Sequence, residues 1–384
     1  MCIRDRCGDH LQNSPIIQNL AFRQYANLEQ SLFQRLVRLG VPTIMLDQQG
    51  RARASIAELY KWRYTRLGNL PSVQASSEFQ IANAGFKHDY QFINVPDYKG
   101  KGEQEVAPHV LANEGEAEYA VAMFQYMRLL GYPAHKISIL TTYAGQKNLI
   151  GEVLARRCKG NPLTGMPRIV ATVDKYQGEQ NDCKLSHPIP LHHATDILIH
   201  VDVILSLVRT RTIGYLRDIR RLTVALSRAR LGLYILGRRS VFESVFELKP
   251  AFDILLSRPD KLELVTGEMF GETTRTVDVK SNEVLEGEAV MEGVEHIGQY
   301  VFDMQSAKVE DMRNGGQMST GDVSMRDAVE VVDDEDEGGE DDVVVPNAAM
   351  NEAADDEEEE ETQLDVSNTG RHIEVEATSS VQME

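Results

Sequence analysis

Residues 219–237 read IRRLTVALSRARLGLYILG, and this stretch decides how the rest of the chain is interpreted. Its apolar residues share one face of a predicted helix: Leu222, Ala225, Leu226 and Ala229. An apolar strand is predicted directly afterwards, from Leu231 to Leu236. Arg228 falls on the last turn of the predicted helix, where the adjoining strand would hold its guanidinium rigidly enough to bind a phosphate through two hydrogen bonds. The alternative interpretation is a solvated basic helix face.

Helices and strands alternate along the chain around this stretch. Helices are predicted over residues 27–39, 55–67, 114–130 and 146–157, and strands over residues 42–46, 91–95, 137–142, 168–173 and 203–208. Residues 99–106 are rich in glycine and charge and are predicted to form a loop. Strands that alternate with helices of this length predict an α/β fold, in which a parallel sheet carries helices on both faces. Ligands of such sheets bind beyond the carboxyl ends of the strands, and we expect the polar motifs of this chain there.

The charge of the chain is unevenly distributed along its 384 residues. Residues 280–384 contain 5 Lys and Arg against 31 Asp and Glu, a net charge of -26, whereas residues 1–279 contain 35 against 28 and carry +7. A mildly basic body favours a polyanionic partner, and the acidic segment would repel one. The four cysteines form no disulfide framework and indicate a reducing compartment. No apolar run reaches membrane-spanning length, so no membrane partner is expected.

The carboxyl-terminal part is predicted to hold one helix and then a disordered acidic tail. Apolar residues at helical spacing predict a docking helix over residues 292–308, within a linker region of residues 276–313. Residues 314–384 are rich in Gly, Asp and Glu, and their apolar surface is too small to offset the entropy of ordering, so we expect disorder. This tail would either compete with a nucleic acid and bind basic partners, or serve only as a solubilising segment.

Four further polar stretches accompany the first one. They read GDHLQNSP at residues 8–15, QGRAR at 49–53, ILTTYAGQ at 139–146 and TVDKYQGEQND at 172–182. With RRLTVALSRAR at residues 220–230 they resemble, in order, motifs III, IV, IVa, V and VI of superfamily 1 helicases of the nonsense-mediated-decay type. The sequence around these motifs is most similar to that of spliceosomal, intron-binding members of that group. Five motifs in the family order make the resemblance specific, and it covers roughly residues 8–275.

The resemblance implies a fold and a function for this region. Residues 8–275 would form the second RecA-like domain of an ATP-dependent RNA helicase that acts in the nucleus, in pre-mRNA splicing. The implied partners are single-stranded intron RNA and spliceosome proteins. The implied cofactors are ATP and Mg²⁺, with the metal ligands in a first RecA-like domain. A non-catalytic RNA-binding or scaffolding module of helicase-like shape is the alternative function.

Residue roles follow from the motif matches. Arg51 and Arg228 match the arginines that reach the γ-phosphate and stabilise the charge of the transition state. The residues that match nucleotide-contacting positions are Asp9, Gln12, Gln177, Gly178 and Gln180. The residues that match positions near the RNA backbone are Thr142, Gln146 and Thr172. In the family an aromatic residue is common at position 50 and a glutamate at position 180, so Gly50 and Gln180 are departures that predict weaker base and ribose contacts. QNSP also replaces a Gln-Leu-Pro-Pro run.

The chain departs from the family pattern in two larger ways: it lacks a phosphate-binding loop sequence and it carries an insertion. No G-x-x-x-x-G-K-[ST] sequence occurs, so we expect a carboxyl-terminal fragment of a helicase that does not hydrolyse ATP by itself. Residues 183–202 interrupt the family pattern and are predicted to be a surface loop or translated intron. Their histidines and cysteine have no regular ligand spacing, so no metal site is predicted.

Overall fold

A computed structural model of the protein describes residues 7–314, apart from residues 16, 18, 109, 168, 176–201, 278–284 and 286. The helices are α1 Leu20–Tyr25, α2 Leu32–Arg38, α3 Ala54–Lys61, α4 Pro71–Ala75, α5 Ser77–Gln80, α6 Glu114–Leu129, α7 Ala144–Arg157, α8 Ile219–Leu226, α9 Arg239–Phe242, α10 Lys249–Leu255 and α11 Val294–Arg313. The strands are β1 Gln48–Gln49, β2 Gly68–Asn69, β3 Tyr90–Asn94, β4 Glu103–Ala107, β5 Val110–Asn113, β6 Ile137–Thr141, β7 Ile169–Thr172, β8 Asp202–Ser206, β9 Gly232–Gly237, β10 Leu262–Val265 and β11 Glu288–Met291.

Five of these strands form one parallel sheet in the order β3-β9-β8-β6-β7. Side chains of β9 alternate between its two faces, as a sheet buried on both sides requires. Leu233 and Ile235 belong to the hydrophobic core under α3, α8 and α10. Tyr234 and Leu236 belong to the core under α6, α7 and α11. The predicted RecA-like sheet with helices on both faces is therefore confirmed.

Helix α6 lies almost entirely inside the protein. Asn113 caps its first turn by accepting a hydrogen bond from the backbone N–H of Glu116, and every residue from Gly115 to Leu129 is buried. Helix α11 supplies part of that cover, because Ile297 and Val301 are buried in the core that contains α6. The rings of Tyr126 and Tyr300 are 6.0 Å apart across this contact. None of the helices in the described part of the chain is long and apolar enough to cross a membrane.

Sequence prediction was wrong in the amino-terminal segment. The predicted helix over residues 27–39 begins only at Leu32, because the Ser31 side chain caps it and Asn27 has a positive φ of 53°. The predicted strand over residues 42–46 does not form, and Ile44 is 94% exposed. An apolar run resembles a buried strand in sequence, but burial requires a neighbouring strand, and β1 pairs with β2 only at Gln48 and Gln49.

The structure also differs from the prediction at residues 99–106, where a loop was expected, and at the end of helix α3. Strands β4 and β5 form an antiparallel hairpin. Glu103 of β4 accepts a 2.7 Å hydrogen bond from the backbone N–H of Thr210 and forms a 3.2 Å ion pair with Arg209. This long-range anchoring has no local sequence signal.

Helix α3 was predicted to reach residue 67, but it ends at Lys61, and the indole N–H of Trp62 donates to the backbone oxygen of Leu59.

Asp202, at the amino end of β8, is a buried carboxyl group in the middle of the sheet. Its Oδ1 accepts a 3.3 Å hydrogen bond from Asn83, and its Oδ2 has no hydrogen-bond partner within the described structure. Burial raises the pKa of Asp202 to about 7, and the Arg53 guanidinium opposes the shift. The folded protein therefore binds a proton at this site more tightly than the unfolded chain does.

This shift predicts how stability depends on pH. Because the pKa of Asp202 is raised on folding, its contribution to the free energy of unfolding should fall as pH rises from about 4 to about 7. Asp202→Asn removes the titration and is expected to flatten the decline between about pH 4 and about pH 7. Urea unfolding at several pH values measures the effect. An unchanged slope in the variant would show that Asp202 is not responsible.

Candidate functional site

Arg228 lies just beyond helix α8, not on its last turn as predicted. The helix ends at Leu226 and is capped by Ser227, whose backbone N–H donates to Thr223. The Arg228 side chain folds back on this helix end. Its Nε donates to the backbone oxygen of Val224 and its Nη2 to Ser227 Oγ, both at 2.9 Å. Arg228 is 4% exposed, so its guanidinium is held in one orientation rather than on a solvated face.

Arg51 belongs to a loop that is fastened beside the same helix end. The side chain of Gln49 accepts 2.9 Å hydrogen bonds from the backbone N–H groups of Arg51 and Ala52. The backbone N–H of Arg53 donates to the oxygen of Arg230 at 2.8 Å, which joins this loop to the segment after α8. Arg51 Nη1 then donates to the backbone oxygen of Ser227 at 3.3 Å. Arg51 is exposed, so the remaining face of its guanidinium is open to solvent.

Asp9 and Gln12 reach the two arginines from the amino-terminal segment. Arg228 Nη2 donates to Gln12 Oε1 at 3.4 Å. Gln12 Nε2 donates to Asp9 Oδ2 at 2.8 Å. We call Asp9, Gln12, Arg51 and Arg228 the arginine cluster. Four residues from three separate stretches of sequence thus lie together.

The electrostatics of the arginine cluster affect a neighbouring hydroxyl group. Burial raises the pKa of Tyr60 to about 12, and the charges of Arg51 and Arg228 act in the opposite direction. Both guanidinium groups therefore lie close enough to one side chain to act on it together. Two arginines that converge on one point can neutralise a phosphoryl group that carries charge on several oxygens.

The arginine cluster lies at an unexpected edge of the sheet. Residues 227–231 immediately precede β9, and residues 49–53 precede α3, so both approach the amino ends of the strands. The sequence predicts the polar motifs at the carboxyl ends of the strands, but the backbone at Arg51 and Arg228 lies at the amino ends. The reason is that α8 connects the carboxyl end of β8 to the amino end of the parallel strand β9, so the chain has returned to the amino edge at Arg228.

The residues matched to RNA contacts do lie at the carboxyl edge. Thr172 ends β7 and is half-buried, and Thr142 follows β6. Thr142 Oγ1 donates to the backbone oxygen of Leu207 at 3.1 Å and is also half-buried. Both hydroxyl groups are therefore available beside the ends of neighbouring strands.

Gln146 requires a correction, because it is fully buried. Its Oε1 accepts from the backbone N–H of Asn113 at 2.7 Å, and its Nε2 donates to Asn113 O and to Ser206 Oγ, each at 3.1 Å. A side chain with no exposed atom and with its amide fully bonded inside the protein cannot contact RNA in this conformation. Gln146 instead fastens the end of β5 to the end of β8.

Glu116 is a buried residue at this edge that motif comparison missed. Its Oε2 accepts hydrogen bonds from Ser206 Oγ at 2.7 Å and from the backbone N–H of Val208 at 2.8 Å. Val208 has a φ of 71°, which is strained for a β-branched residue. Glu116 therefore holds the loop after β8 in a conformation that this sequence would not adopt alone. The only sequence signal was an acid in the first turn of a helix.

The motif V region is only partly described. Asp174 forms a 3.4 Å ion pair with Arg221 and accepts a 3.2 Å hydrogen bond from Asn13 Nδ2. Asn13 stands in the departure from the Gln-Leu-Pro-Pro run, and it links the amino-terminal segment to the end of β7. The predicted nucleotide-contacting residues Gln177, Gly178 and Gln180 lie outside the described residues, as do nearly all of the insertion 183–202 and of the tail 314–384.

Gly50 lies against the side chain of Leu70. A Cβ atom at Gly50 would lie 2.6 Å from Leu70 Cδ1, so Leu70 occupies the space of a side chain there. Among the described residues, no group of three or more His, Cys, Asp or Glu side chains could hold a metal ion.

Comparison with known proteins identifies relatives of the chain. A family model described as "AAA domain" matches residues 28–187 and 200–240, more than half of the chain. RNA helicase aquarius of Mus musculus is 52% identical over 297 residues, which cover 77% of this chain and 18% of that protein. Pre-mRNA-splicing factor cwf11 of Schizosaccharomyces pombe is 33% identical over 73% of this chain and 20% of that protein.

A third relative extends the comparison beyond splicing proteins. The regulator of nonsense transcripts 1 homolog of Arabidopsis thaliana is 30% identical over 61% of this chain and 17% of that protein. The chain thus spans about a fifth of the length of these relatives. Its parallel sheet, the geometry of its motifs and these matches agree: the chain belongs to the AAA domain family of superfamily 1 helicases of the nonsense-mediated-decay type.

Proposed function

We propose that this chain is the second RecA-like domain of an ATP-dependent RNA helicase that acts in pre-mRNA splicing in the nucleus. The observation that carries the proposal is the arginine cluster, in which Arg51 donates to the backbone oxygen of Ser227 and the adjacent Arg228 donates to Gln12, so that three stretches of sequence meet. Relatives that are named as an RNA helicase and as a pre-mRNA-splicing factor support the substrate class and the process. Spliceosome proteins and single-stranded intron RNA are the proposed partners.

The arginine cluster fits the γ-phosphate of ATP. ATP would supply the phosphoryl group that is transferred to water, with Mg²⁺ held by the first RecA-like domain. Arg51 has an open guanidinium face, and Arg228 is oriented by its helix end. Their role is to neutralise the charge that spreads over the phosphoryl oxygens in the transition state. Gln12, which touches Arg228, would connect the phosphate to the amino-terminal segment.

The carboxyl edge of the sheet is proposed to hold the RNA. Thr142 and Thr172 lie at neighbouring strand ends. Thr172 would donate to a backbone phosphate, and Thr142, whose proton is donated to Leu207, would accept from a ribose hydroxyl; neither contact carries sequence information. Gln146 and Glu116 act beneath them, because they fasten the loops from which such contacts are made.

The second candidate is a non-catalytic RNA-binding or scaffolding module. A complete transcript without a G-x-x-x-x-G-K-[ST] sequence would favour it, because a helicase needs that sequence in its first RecA-like domain. Both candidates share the RNA-binding surface but differ at the arginine cluster, since only a helicase domain needs the cluster to meet a phosphate. Protection of Arg51 and Arg228 from chemical modification by inorganic triphosphate would therefore support the first candidate, and unprotected arginines would support the second.

RNA binding supplies the direct test. We expect the chain to bind single-stranded RNA weakly and without sequence preference, because the matched contacts are to the backbone. Its affinity should fall by about tenfold or more between 50 and 200 mM salt, because neutralised phosphates release counterions. Fluorescence anisotropy with poly-U and a mixed-sequence oligonucleotide of equal length measures both properties. Salt-independent binding, or tight binding to one sequence alone, would contradict the proposal.

A further inference from the structure

We propose that Tyr64 is a positioning residue for Arg228 and acts on it through Asp9 and Gln12. The proposal rests on the phosphate-binding role proposed for Arg228, but the contacts that define it belong to this chain alone. Tyr64 follows helix α3 and lies outside the five motif stretches. It was not among the residues selected from the sequence.

A continuous line of hydrogen bonds joins Tyr64 to Arg228. The Tyr64 hydroxyl donates to Asp9 Oδ2 at 2.6 Å, and the same oxygen accepts from Gln12 Nε2 at 2.8 Å. Asp9 Oδ1 accepts from the backbone N–H of Leu11 at 2.9 Å, which fixes the carboxylate within its own turn. Gln12 Oε1 then accepts from Arg228 at 3.4 Å.

The chemistry of the two end groups determines how Gln12 is oriented. A carboxylate only accepts hydrogen bonds and a guanidinium only donates them. Gln12 must therefore direct its NH₂ group to Asp9 and its oxygen to Arg228. A rotation of the amide by 180° would place donor against donor at Arg228 and acceptor against acceptor at Asp9. The position of the Asp9 carboxylate thus decides whether Gln12 can hold Arg228.

Tyr64 is the group that holds this carboxylate from outside the amino-terminal segment. Burial, followed by the hydrogen bond to Asp9, raises the pKa of the Tyr64 hydroxyl, so it remains a donor throughout the physiological pH range. Hydrogen bonds to a charged acceptor are stronger than neutral ones. Without the Tyr64 hydroxyl, Asp9 keeps only its hydrogen bonds to Leu11 and Gln12. Residues 9–12 can then shift together away from Arg228.

We call the line of hydrogen bonds from Tyr64 through Asp9 and Gln12 to Arg228 the relay. Chemical modification of Arg228 in the intact chain tests it. Phenylglyoxal reacts with accessible guanidinium groups, and mass spectrometry reports the rate at each arginine separately. We expect Arg228 to react about fivefold faster in Tyr64→Phe, the factor that corresponds to about 1 kcal/mol for one hydrogen bond. Asp9→Asn should give a similar increase, since its amide lets Gln12 rotate. The double variant should react no faster than Asp9→Asn, because both changes break one relay.

Two controls separate the relay from general loosening. Tyr119→Phe removes a buried hydroxyl in α6 that has no hydrogen-bond partner within the described structure, and it should leave the Arg228 rate unchanged. Arg230 is the internal reference, because it pairs with Glu78 and stacks on Phe79 instead. An unchanged Arg228 rate in Tyr64→Phe would overturn the proposal. Equal acceleration at Arg228 and Arg230 would overturn it too, since that result indicates a loosened domain.

The outcome is distinguishable from failure of the proposed function. Inorganic triphosphate added to the wild-type chain should slow the modification of Arg51 and Arg228. If triphosphate gives no protection while Tyr64→Phe still accelerates Arg228, the phosphate-binding role is wrong and the relay stands. If triphosphate protects and Tyr64→Phe has no effect, the phosphate-binding role stands and the relay is wrong.

Discussion

Replacement of Arg228 by alanine is expected to lower kcat by about 10³-fold in a helicase chain that joins this domain to the first RecA-like domain. The guanidinium is oriented by Val224, Ser227 and Gln12, which limits the conformations from which it would meet a phosphoryl group. Its stabilising effect grows as charge moves to the phosphoryl oxygens, and nucleotide affinity should therefore fall far less than kcat. Steady-state ATPase kinetics with saturating RNA measure both quantities.

The structure adds a qualification about folding. Arg228→Ala should also affect folding, because a buried guanidinium with several hydrogen bonds contributes to stability. We expect Arg228→Ala to lower the free energy of unfolding by about 1–2 kcal/mol. Kinetics should therefore be measured well below the melting temperature of the variant. In the isolated chain, the same variant reports the folding effect alone.

Arg230→Ala is the matched control for the kinetic effect. Arg230 lies two residues from Arg228, but its side chain pairs with Glu78 and lies over the ring of Phe79, 5.0 Å from its centroid. Its replacement should change kcat by less than about threefold, as expected for a surface ion pair. If Arg230→Ala lowers kcat as much as Arg228→Ala does, the segment acts as a general basic surface and the assignment of Arg228 is wrong.

Gly232→Ala has the second-largest expected effect, and it acts on stability. Gly232 begins β9 in the centre of the sheet. A Cβ atom there would lie 2.1 Å from Asp202 Oδ1 and 2.4 Å from Asn83 Nδ2. Both neighbours are buried and hydrogen-bonded to each other, so neither can move without breaking that bond. We expect a loss of about 3 kcal/mol in the free energy of unfolding, measured by urea denaturation.

Gly151→Ala is the opposite case within the same domain. Gly151 lies in the interior of α7, and no atom lies within 4 Å of the position of its Cβ. Alanine there should raise the free energy of unfolding by about 0.5–1 kcal/mol, because glycine is the poorer helix former. If both substitutions had the same sign, steric crowding would not explain the sensitivity of Gly232.

Several features of the fold were readable from the sequence because they depend on local pattern. The alternation of strands and helices indicated an α/β fold with a parallel sheet, and the acids of the first turn marked the start of α6. The hairpin β4–β5 was not readable, since Glu103 stabilises it through contacts more than 100 residues away. The apolar residues 42–46 gave a false strand prediction for the converse reason, because no strand within the described part of the chain pairs with them.

The sequence by itself determined the family, the fold class and the residue types of the site, because ordered motifs and side-chain periodicity are properties of the chain. Only the tertiary structure decided how those residues are used. It placed Arg51 and Arg228 at the amino edge of the sheet, buried Gln146 and brought Tyr64 against Asp9. The physical reason is that a hydrogen bond depends on distance and direction in space. Residues 55 positions apart in the chain acquire both only when the domain has folded.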